Sequence, residues 1–353
     1  MDEIRDTLAQ WFEAHKRELP WRNEPSPYYV WLSEIILQQT RVTQGLDYFV
    51  RMVEKWPTLE DLSKASEEEV LKMWQGLGYY SRARNLHQCA RQVVELYGGT
   101  FPKDYERLRE LKGIGDYTAA AIASIAFDLP YAVVDGNVYR VLSRLYDIDT
   151  PINSNEGNKM FAQLARDLLD KNHPGHHNQA IMEFGALQCV PQNPDCTQCP
   201  LQTHCLALAR HTVESRPQKT KKTQVKTRHF HYLVARTPDN KLCLRKREGN
   251  DIWKNLYDFP CVESTKPLSP EEIVNTTYFK SLIPNQDFVI SRISAPYVHK
   301  LTHQTIVAVF VEIKISCFLP TIETKNILLA FENEVGTLPV PKLIDNYLTN
   351  NQH

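Results

Sequence analysis

Four cysteines, Cys189, Cys196, Cys199 and Cys205, form a C-x6-C-x2-C-x5-C pattern in a polar, proline-containing stretch, VPQNPDCTQCPLQTHC. A loop this short has no apolar core of its own, and four thiolates within it suit a metal site. Structural zinc usually takes two C-x2-4-C pairs, each gripping the ion from one side. A single C-x2-C with lone cysteines outside it suits a 4Fe-4S cluster better. Two disulfides would also use all four thiols, but nothing in the chain indicates secretion.

Two carboxylates could do acid–base work. Glu34 lies in VWLSEIILQQT and at helical spacing shares a face with Trp31, Ile35 and Gln38. An anion on an apolar stripe is costly to bury, so its pKa should rise and it could serve as an acid. A buried glutamate paired with an arginine would leave the same pattern. Asp135 stands where an apolar extended run, Tyr131–Val134, meets a D-G-N turn and a helix begins. Asp is a strong N-cap, and helix amides should keep such a carboxylate ionised even when partly buried. One carboxyl in an apolar site and one held as an anion is the division of labour of glycosidic bond cleavage: one protonates the leaving group, the other faces an oxocarbenium-like sugar.

These residues need elements to position them. Up to about residue 211 apolar residues recur every three to four positions, with short breaks at Trp56-Pro57, Gly76-Leu77-Gly78, Gly98-Gly99 and Gly113-Ile114-Gly115, which predicts helices. The run LRELKGIGDYTAAAIASIA from Leu108 reads as helix, glycine hairpin, helix. Gly113 and Gly115 would let the backbone turn and leave the following amides free for a phosphate; an ordinary helical hairpin would look the same. Residues 212–228 read as a basic linker. Arg210, Arg216, Lys219, Lys221, Lys222, Lys226 and Arg228 crowd this region against Glu214 alone, forming either a solvated connector or a strap that tracks phosphates. Beyond it the period changes to two. Strands are predicted at His229–Arg236 and Lys241–Arg247 around a Pro238-Asp239-Asn240 turn, with a long β-branched strand at Gln304–Ile315. Ser269-Pro270-Glu271-Glu272 is a capping box opening a helix.

The chain has 353 residues, room for two domains, with 42% hydrophobic and 24% charged residues, an ordinary composition for a soluble protein. A net charge of −1 neither demands nor excludes nucleic acid. No run reaches the length of a membrane span, and the N-terminus reads as an amphipathic helix without a signal-peptide plan. Cys89, Cys243, Cys261 and Cys317 are scattered singly, as reduced core residues of a cytoplasmic protein would be. His176-His177 reads as a solvated loop pair.

The glycine hairpin, the Val134-Asp135-Gly136-Asn137-Val138 turn and the cysteine loop, in this order, resemble the helix-hairpin-helix, iron–sulfur DNA glycosylase superfamily. Within it, Leu19-Pro20-Trp21-Arg22 and Trp31–Thr40 look like the adenine-pocket segments of the MutY-type adenine glycosylases. The segment GLGYYSRARNL from Gly76 looks like their duplex-wedging loop. The match is strong over residues 10–210 and weaker beyond. It implies a mainly α catalytic domain over 1–211, a six-helix barrel plus a cluster module at 189–205. An α+β Nudix-like domain would follow over 229–353. The implied reaction is removal of adenine mispaired with 8-oxoguanine or guanine in double-stranded DNA, by a monomeric, DNA-associated cytoplasmic protein.

Site roles carry across with the motifs. Glu34 would be the acid protonating adenine N7, and Asp135 would stabilise or attack the oxocarbenium ion. Tyr117 and Asn137 would position Asp135 and the intermediate. Trp21, Arg22 and Gln179 would line the flipped-base pocket. Gln39 and Tyr79 would wedge into the stack on the 8-oxoguanine side, with Thr40 and Leu77 beside them as substrate-binding residues. Gly113 and Gly115 would form the DNA-phosphate hairpin, and the four cysteines would hold the cluster. Glycosylases that also cleave the strand place a lysine where Tyr117 stands; a phenol cannot form a Schiff base, so the resemblance implies base removal alone. In the C-terminal part, LCLRKR from Leu242 and WKNLYDFP from Trp253 resemble the family's Nudix-like domain, without the acidic box that holds magnesium. The family's Phe-Ser-His loop is Leu301-Thr302-His303 here, so Thr302 and His303 are the candidate lesion-reading residues. The competing classes are an endonuclease III-like glycosylase for oxidised pyrimidines, a non-catalytic zinc-containing DNA-binding protein and, with least support, a diphosphate hydrolase.

Overall fold

The computed structural model describes residues 1–220, 225–283, 288–315 and 327–350. They fall into two compact units. The first comprises residues 1–64 and 85–221, the second 65–84 and 222–353. The contiguous division read from the sequence had no place for residues 65–84 beside the C-terminal part.

The first unit is helical. Its helices include Asp2–His15, Pro27–Leu37, Val42–Lys55, Tyr105–Glu110, Asp116–Ala121, Gly136–Leu145, Asn155–Leu168 and Pro174–Leu187. Local signals start several of them. Ser26 caps the Pro27–Leu37 helix by accepting from the Tyr29 amide, with Pro27 at the first position. Asp104 and Ser154 cap two others in the same way. The Asp116–Ala121 helix runs on into a π-helical turn, Ile122–Ala126. Leu8, Trp11, Phe12, Val138, Leu142, Phe161, Ile181 and Phe184 share one buried cluster, so the N-terminal helix packs with those at 136–145, 155–168 and 174–187. His176 and His177 lie in the first turn of the Pro174–Leu187 helix, not in a loop. His176 pairs with Glu13 at 2.7 Å. His177 is buried, and desolvation lowers its pKa to about 4.

The second unit is built on a mixed sheet: β1 (Lys226–Arg236), β2 (Leu242–Lys246), β3 (Tyr257–Asp258), β4 (Cys261–Ser264), β5 (Phe288–Ile293), β6 (Tyr297–Lys300), β7 (Gln304–Ile315) and β8 (Ile327–Ala330). β1 runs parallel to β7 from Lys226↔Gln304 to Arg236↔Lys314 and antiparallel to β2 and β4. β7 also pairs antiparallel with β5 and β6, and β2 with β3 and β8. Helices cover both faces. Leu233, Val311 and Ile313 pack with Ile273, Phe279 and Leu282 from the 270–274 and 277–282 helices. On the other face Phe310 stacks on Tyr232 and on Tyr347 of the Lys342–Asn350 helix. Burial on both faces makes β1 buried without a break from Phe230 to Ala235, rather than on alternate residues as the period-two reading expected. The strand begins at Lys226, three residues before the predicted start; the Gln304–Ile315 strand and the Ser269 capping box are as predicted.

Residues 65–84 are tied into this unit by side chains. Glu68 accepts from Lys246 at 2.5 Å and Tyr257 at 2.9 Å, and Glu67 from Asn255 at 2.5 Å. Gln75 donates to Asp345 at 3.1 Å, and Arg84 to the Lys254 carbonyl at 2.9 Å.

The three arginines of the basic stretch are committed within the protein. Arg210 and Arg216 both bind Asp147, at 3.1 and 3.0 Å, and Arg228 binds Asp251 and Glu263. Thr220 and Asn153 exchange two hydrogen bonds. Lys221 and Lys222 lie outside the described residues. The strap is thus less basic than its sequence, because three of its arginines are neutralised by neighbouring carboxylates.

Candidate active site

The Pro27–Leu37 helix places Glu34 at the wall of a cavity of about 830 Å³ in the first unit. Tyr117, from the helix after the glycine hairpin, and Asp135, Gly136 and Asn137, from the turn before the Gly136–Leu145 helix, line the same cavity. Trp21, Arg22, Thr40 and Gln179 do so too. A cavity of this size accommodates a small planar ligand. The two carboxylates singled out in the sequence, 101 positions apart in the numbering, therefore face one space.

Burial dominates the protonation of Glu34. Desolvation raises its pKa, a hydrogen bond from Tyr117 opposes this, the neighbouring Asp135 charge raises it and Arg22 lowers it, leaving it at about 7. The Tyr117 hydroxyl donates to Glu34 Oε2 at 2.5 Å and lies 3.6 Å from the Met182 sulfur. Tyr117 therefore engages Glu34 and not Asp135, for which it was expected as a positioning partner. Its own pKa is driven well above the ordinary value, first by burial and then by the two carboxylates.

Asp135 caps the Gly136–Leu145 helix. Its Oδ1 accepts from the Asn137 amide at 2.9 Å and the Val138 amide at 2.8 Å, and its Oδ2 from the Asn137 side chain at 2.8 Å. Asn137 thus does hold Asp135, as expected. The three hydrogen bonds lower the pKa, but burial outweighs them and the net direction is upward. The site is thus drier than an ordinary N-cap, and the capping hydrogen bonds work against that burial to favour the anion. Asn137 Oδ1 accepts in turn from Arg140 Nη2 at 2.8 Å, and Arg140 Nε donates to the Cys189 carbonyl at 2.7 Å.

One wall was not foreseen. Glu183, with 2% of its side chain exposed, accepts from Arg17 Nε at 2.7 Å and Nη2 at 2.6 Å and from Arg22 Nη1 at 2.9 Å and Nη2 at 2.8 Å. Burial pushes the Glu183 pKa up, but the two guanidiniums prevail and bring it to about 2. Arg17 and Glu183 line the cavity beside Arg22. The sequence held one signal for Glu183, an acid inside the apolar helical run AIMEFGAL, and none for Arg17.

Other predicted residues lie elsewhere. Gln39 does not line the cavity; its neighbour Gln38 does, and Gln38 donates to the Thr118 hydroxyl at 3.3 Å. Of the two hairpin glycines, only Gly113 has a positive φ, of 78°, and a Cβ there would meet the Asn85 side chain at 2.7 Å. Gly115 is extended, caps the next helix and faces open space, so one glycine rather than two is required by the backbone. Leu77, Tyr79, Thr302 and His303 belong to the second unit. There Tyr79, half exposed and held at φ 49°, shares a hydrogen bond with the Thr302 hydroxyl in the turn between β6 and β7.

The four cysteines of the loop are free thiols facing one small cavity with Arg144. Arg144 donates to Cys189 Sγ at 3.4 Å and to the carbonyls of Val190, Pro191 and Val213. No disulfide joins them, although their sequence allowed two. Among the described residues no group of three His, Cys, Asp or Glu is arranged to hold a single metal ion. Sulfurs ringing a cavity fit a multi-iron group better than one small ion. Among the described residues no helix is long and apolar enough to cross a membrane.

Comparison with known proteins places this geometry. Residues 32–167 match the model of the HhH-GPD superfamily base excision DNA repair proteins. The chain is 42% identical over 289 residues to an adenine DNA glycosylase of Mus musculus, covering 78% of this chain and 54% of that protein. It is 33% identical over 303 residues to an adenine DNA glycosylase of Buchnera aphidicola (subsp. Baizongia pistaciae), covering 85% and 83% respectively. The chain spans about half the length of the mammalian relatives it matches. Among solved structures, a thermostable thymine-DNA glycosylase superposes with a TM-score of 0.55 at 28% identity, over 59% of this chain and 96% of that one. A non-covalent endonuclease III–DNA complex gives 0.52 at 24% identity, over 60% and 96%, and shares the fold.

Proposed function

This chain belongs to the adenine DNA glycosylase family, within the HhH-GPD base excision repair superfamily, and we propose that it hydrolyses the N-glycosidic bond of adenine mispaired with 8-oxoguanine or guanine in duplex DNA. The observation that carries this reading is the cavity shared by Glu34, with its pKa near 7, and Asp135, held by helix amides and Asn137. A carboxyl half-protonated near neutrality can give its proton to adenine N7 as the bond to the sugar breaks. Asp135, on the wall of the same cavity and in its anionic form, stabilises or captures the oxocarbenium ion, and water completes the hydrolysis. Tyr117 tunes the acid and offers no amine, so the product is an abasic site with an intact strand. The Arg17–Glu183–Arg22 clamp keeps the Arg22 guanidinium fixed where the extruded base would lie, beside Trp21 and Gln179.

Around this centre, residues 1–211 serve as the glycosylase part, 212–228 as linker and 229–353 as a Nudix-like part that reads 8-oxoguanine. Thr302 and His303 lie at the reading turn, Tyr79, Leu77 and Gln39 serve as wedge residues, and Thr40 lies at the wall of the base-binding cavity. Gly113 and Gly115 place backbone amides against phosphate. Cys189, Cys196, Cys199 and Cys205 would hold a 4Fe-4S cluster. When bound, the cluster supplies bracing of the 189–205 loop rather than a step of the reaction. The protein acts as a monomer.

The test is single-turnover base release from duplexes carrying adenine opposite 8-oxoguanine, guanine or thymine, with and without hot alkali. Strand cleavage only after alkali, fastest opposite 8-oxoguanine, is the expected result. Cleavage without alkali, or a borohydride-trapped adduct, would instead assign a lyase of the endonuclease III kind.

A further inference from the structure

Residues Leu129–Val134 lead into Asp135 without regular structure and without a strand beside them. Val133 within this run is buried. Buried backbone amides and carbonyls must be satisfied, and in a sheet a neighbouring strand would do it. Here the side chain of Asn178 does so. Its Oδ1 accepts from the Val133 amide at 3.1 Å, and its Nδ2 donates to the Tyr131 carbonyl at 2.7 Å. The same Nδ2 donates to Ser124 Oγ at 2.8 Å. Asn178 is 1% exposed. A carboxamide carries one acceptor and one donor group, like a peptide unit, so Asn178 acts as a one-residue substitute for the missing strand.

The helix that carries Asn178 is fixed on both sides of it. At Gly175 a Cβ would fall 2.5 Å from the Ser124 carbonyl oxygen, and at Gly185 it would fall 2.7 Å from Asn137 Cβ. Gln179, Met182 and Glu183 of the same helix line the cavity, whereas Asn178 does not. Stacking of Tyr131 on Tyr105, at 4.3 Å and 8°, holds the other side of the run.

We infer that Asn178 is a positioning residue for Asp135: it fixes the height at which the Tyr131–Val134 run delivers that carboxylate into the cavity wall built by its own helix. The inference rests on the proposed role of Asp135. An Asn178→Ala substitution unties the run two residues before Asp135, and a misplacement of about 1 Å in a reacting group can cost about a hundredfold in rate. Asn178→Ala should therefore slow single-turnover adenine release by about 10- to 100-fold, with affinity for a non-cleavable duplex within about threefold of the parent. Ser124→Ala removes the third hydrogen bond and the one the Ser124 hydroxyl donates to the Ala120 carbonyl at 2.7 Å, leaves both bonds from Asn178 to the run in place, and should release adenine within about threefold of the parent rate.

Full activity in Asn178→Ala would overturn the inference. So would a rate loss in Ser124→Ala matching that of Asn178→Ala at equal loss of thermal stability, since that pattern reports packing alone. If the alanine variant does not fold, Asn178→Ser, whose hydroxyl cannot span both groups of the run, takes its place under the same criteria. Amide hydrogen exchange needs no DNA and separates this inference from the function reading. Exchange across Val133–Val138 should quicken in the Asn178 variant and stay at the parent rate in Ser124→Ala. Unchanged exchange in the Asn178 variant overturns the positioning role, whereas failure of the parent to release adenine overturns only the assigned reaction.

Discussion

The hydroxyl of Tyr117 donates to Glu34 Oε2 at 2.5 Å, joining the helix after the glycine hairpin to the proposed acid. The bond stabilises the carboxylate and so lowers the Glu34 pKa against the effect of burial. In Tyr117→Phe the Glu34 pKa rises. Release of adenine requires protonated Glu34, so the rate falls as pH rises through about 7 in the parent. In the variant that fall should move about one unit higher, the size set by one hydrogen bond to a charged group. A pH profile of single-turnover rates measures it; an unmoved alkaline limb would remove Tyr117 from the tuning of Glu34. Glu34→Gln should lose about 100- to 10,000-fold in rate while still binding duplex.

Glu183 sets the acid side of stability. Its pKa lies near 2 in the fold against an ordinary 4.5. The stabilisation is thus complete above about 4.5 and lost as pH falls toward 2. Glu183→Gln leaves Arg17 and Arg22 without their carboxylate and should cost about 2–3 kcal/mol at pH 7, less than a fully buried pair because Arg17 is a third exposed. Urea unfolding at pH 7 and pH 3 should show the difference between parent and variant shrinking at the lower pH.

His231 favours its neutral form in the C-terminal unit. It is buried, with Nδ1 3.1 Å from the Val262 carbonyl and Nε2 accepting from the Leu268 amide at 3.0 Å. Nδ1 is therefore the protonated nitrogen, and a second proton would oppose the Leu268 N–H. Burial lowers its pKa, so its contribution is present above the unfolded value of about 6.5 and is lost as pH falls below it. His231→Ala should destabilise by about 1–3 kcal/mol at pH 7.5, with a smaller penalty at pH 5. An equal penalty at both values would contradict the tautomer.

Thr302 and Tyr79 make a cheap test of lesion reading. Thr302→Val keeps the shape and removes the hydroxyl that Tyr79 engages. It should reduce the preference for adenine opposite 8-oxoguanine over guanine by about fivefold to tenfold, the value of one hydrogen bond, whereas Thr302→Ser should retain it. Comparison of the two single-turnover rates decides; an undiminished preference in the valine variant would place the reading elsewhere.

Arg144 ties two loop carbonyls, the Val213 carbonyl and the Cys189 sulfur together. Protein purified without oxygen should contain iron and acid-labile sulfide in equal amounts. Arg144→Met should lose both on exposure to air faster than the parent. Stoichiometric zinc without iron would replace the cluster by a mononuclear site.

Local chemistry was legible in the sequence and long-range chemistry was not. The Glu34 stripe, the Asp135 cap, the cysteine loop and the Ser269 box each declare themselves within a few residues, because caps and helical faces are local devices. The Arg17–Glu183 pair spans 166 positions and the Asn178–Val133 bond 45, and no periodicity encodes which run a buried amide will complete. Asp135 shows the same boundary from another side. Its cap was evident, but the dryness that drives its pKa upward comes from packing. The alternation in β7 was readable, yet its parallel pairing with β1 depends on chain far away.

Residues 65–84 have a consequence for inheritance. Glu67, Glu68, Gln75 and Arg84 find their partners at Asn255, Lys246, Asp345 and Lys254, more than 160 positions downstream. A recombination event with a single breakpoint near residue 221 would therefore bring together two halves of an interface that had never been selected on each other. The C-terminal part is not a cassette. To pass intact between lineages it must travel with a second, detached segment, and substitutions on either side should be answered on the other.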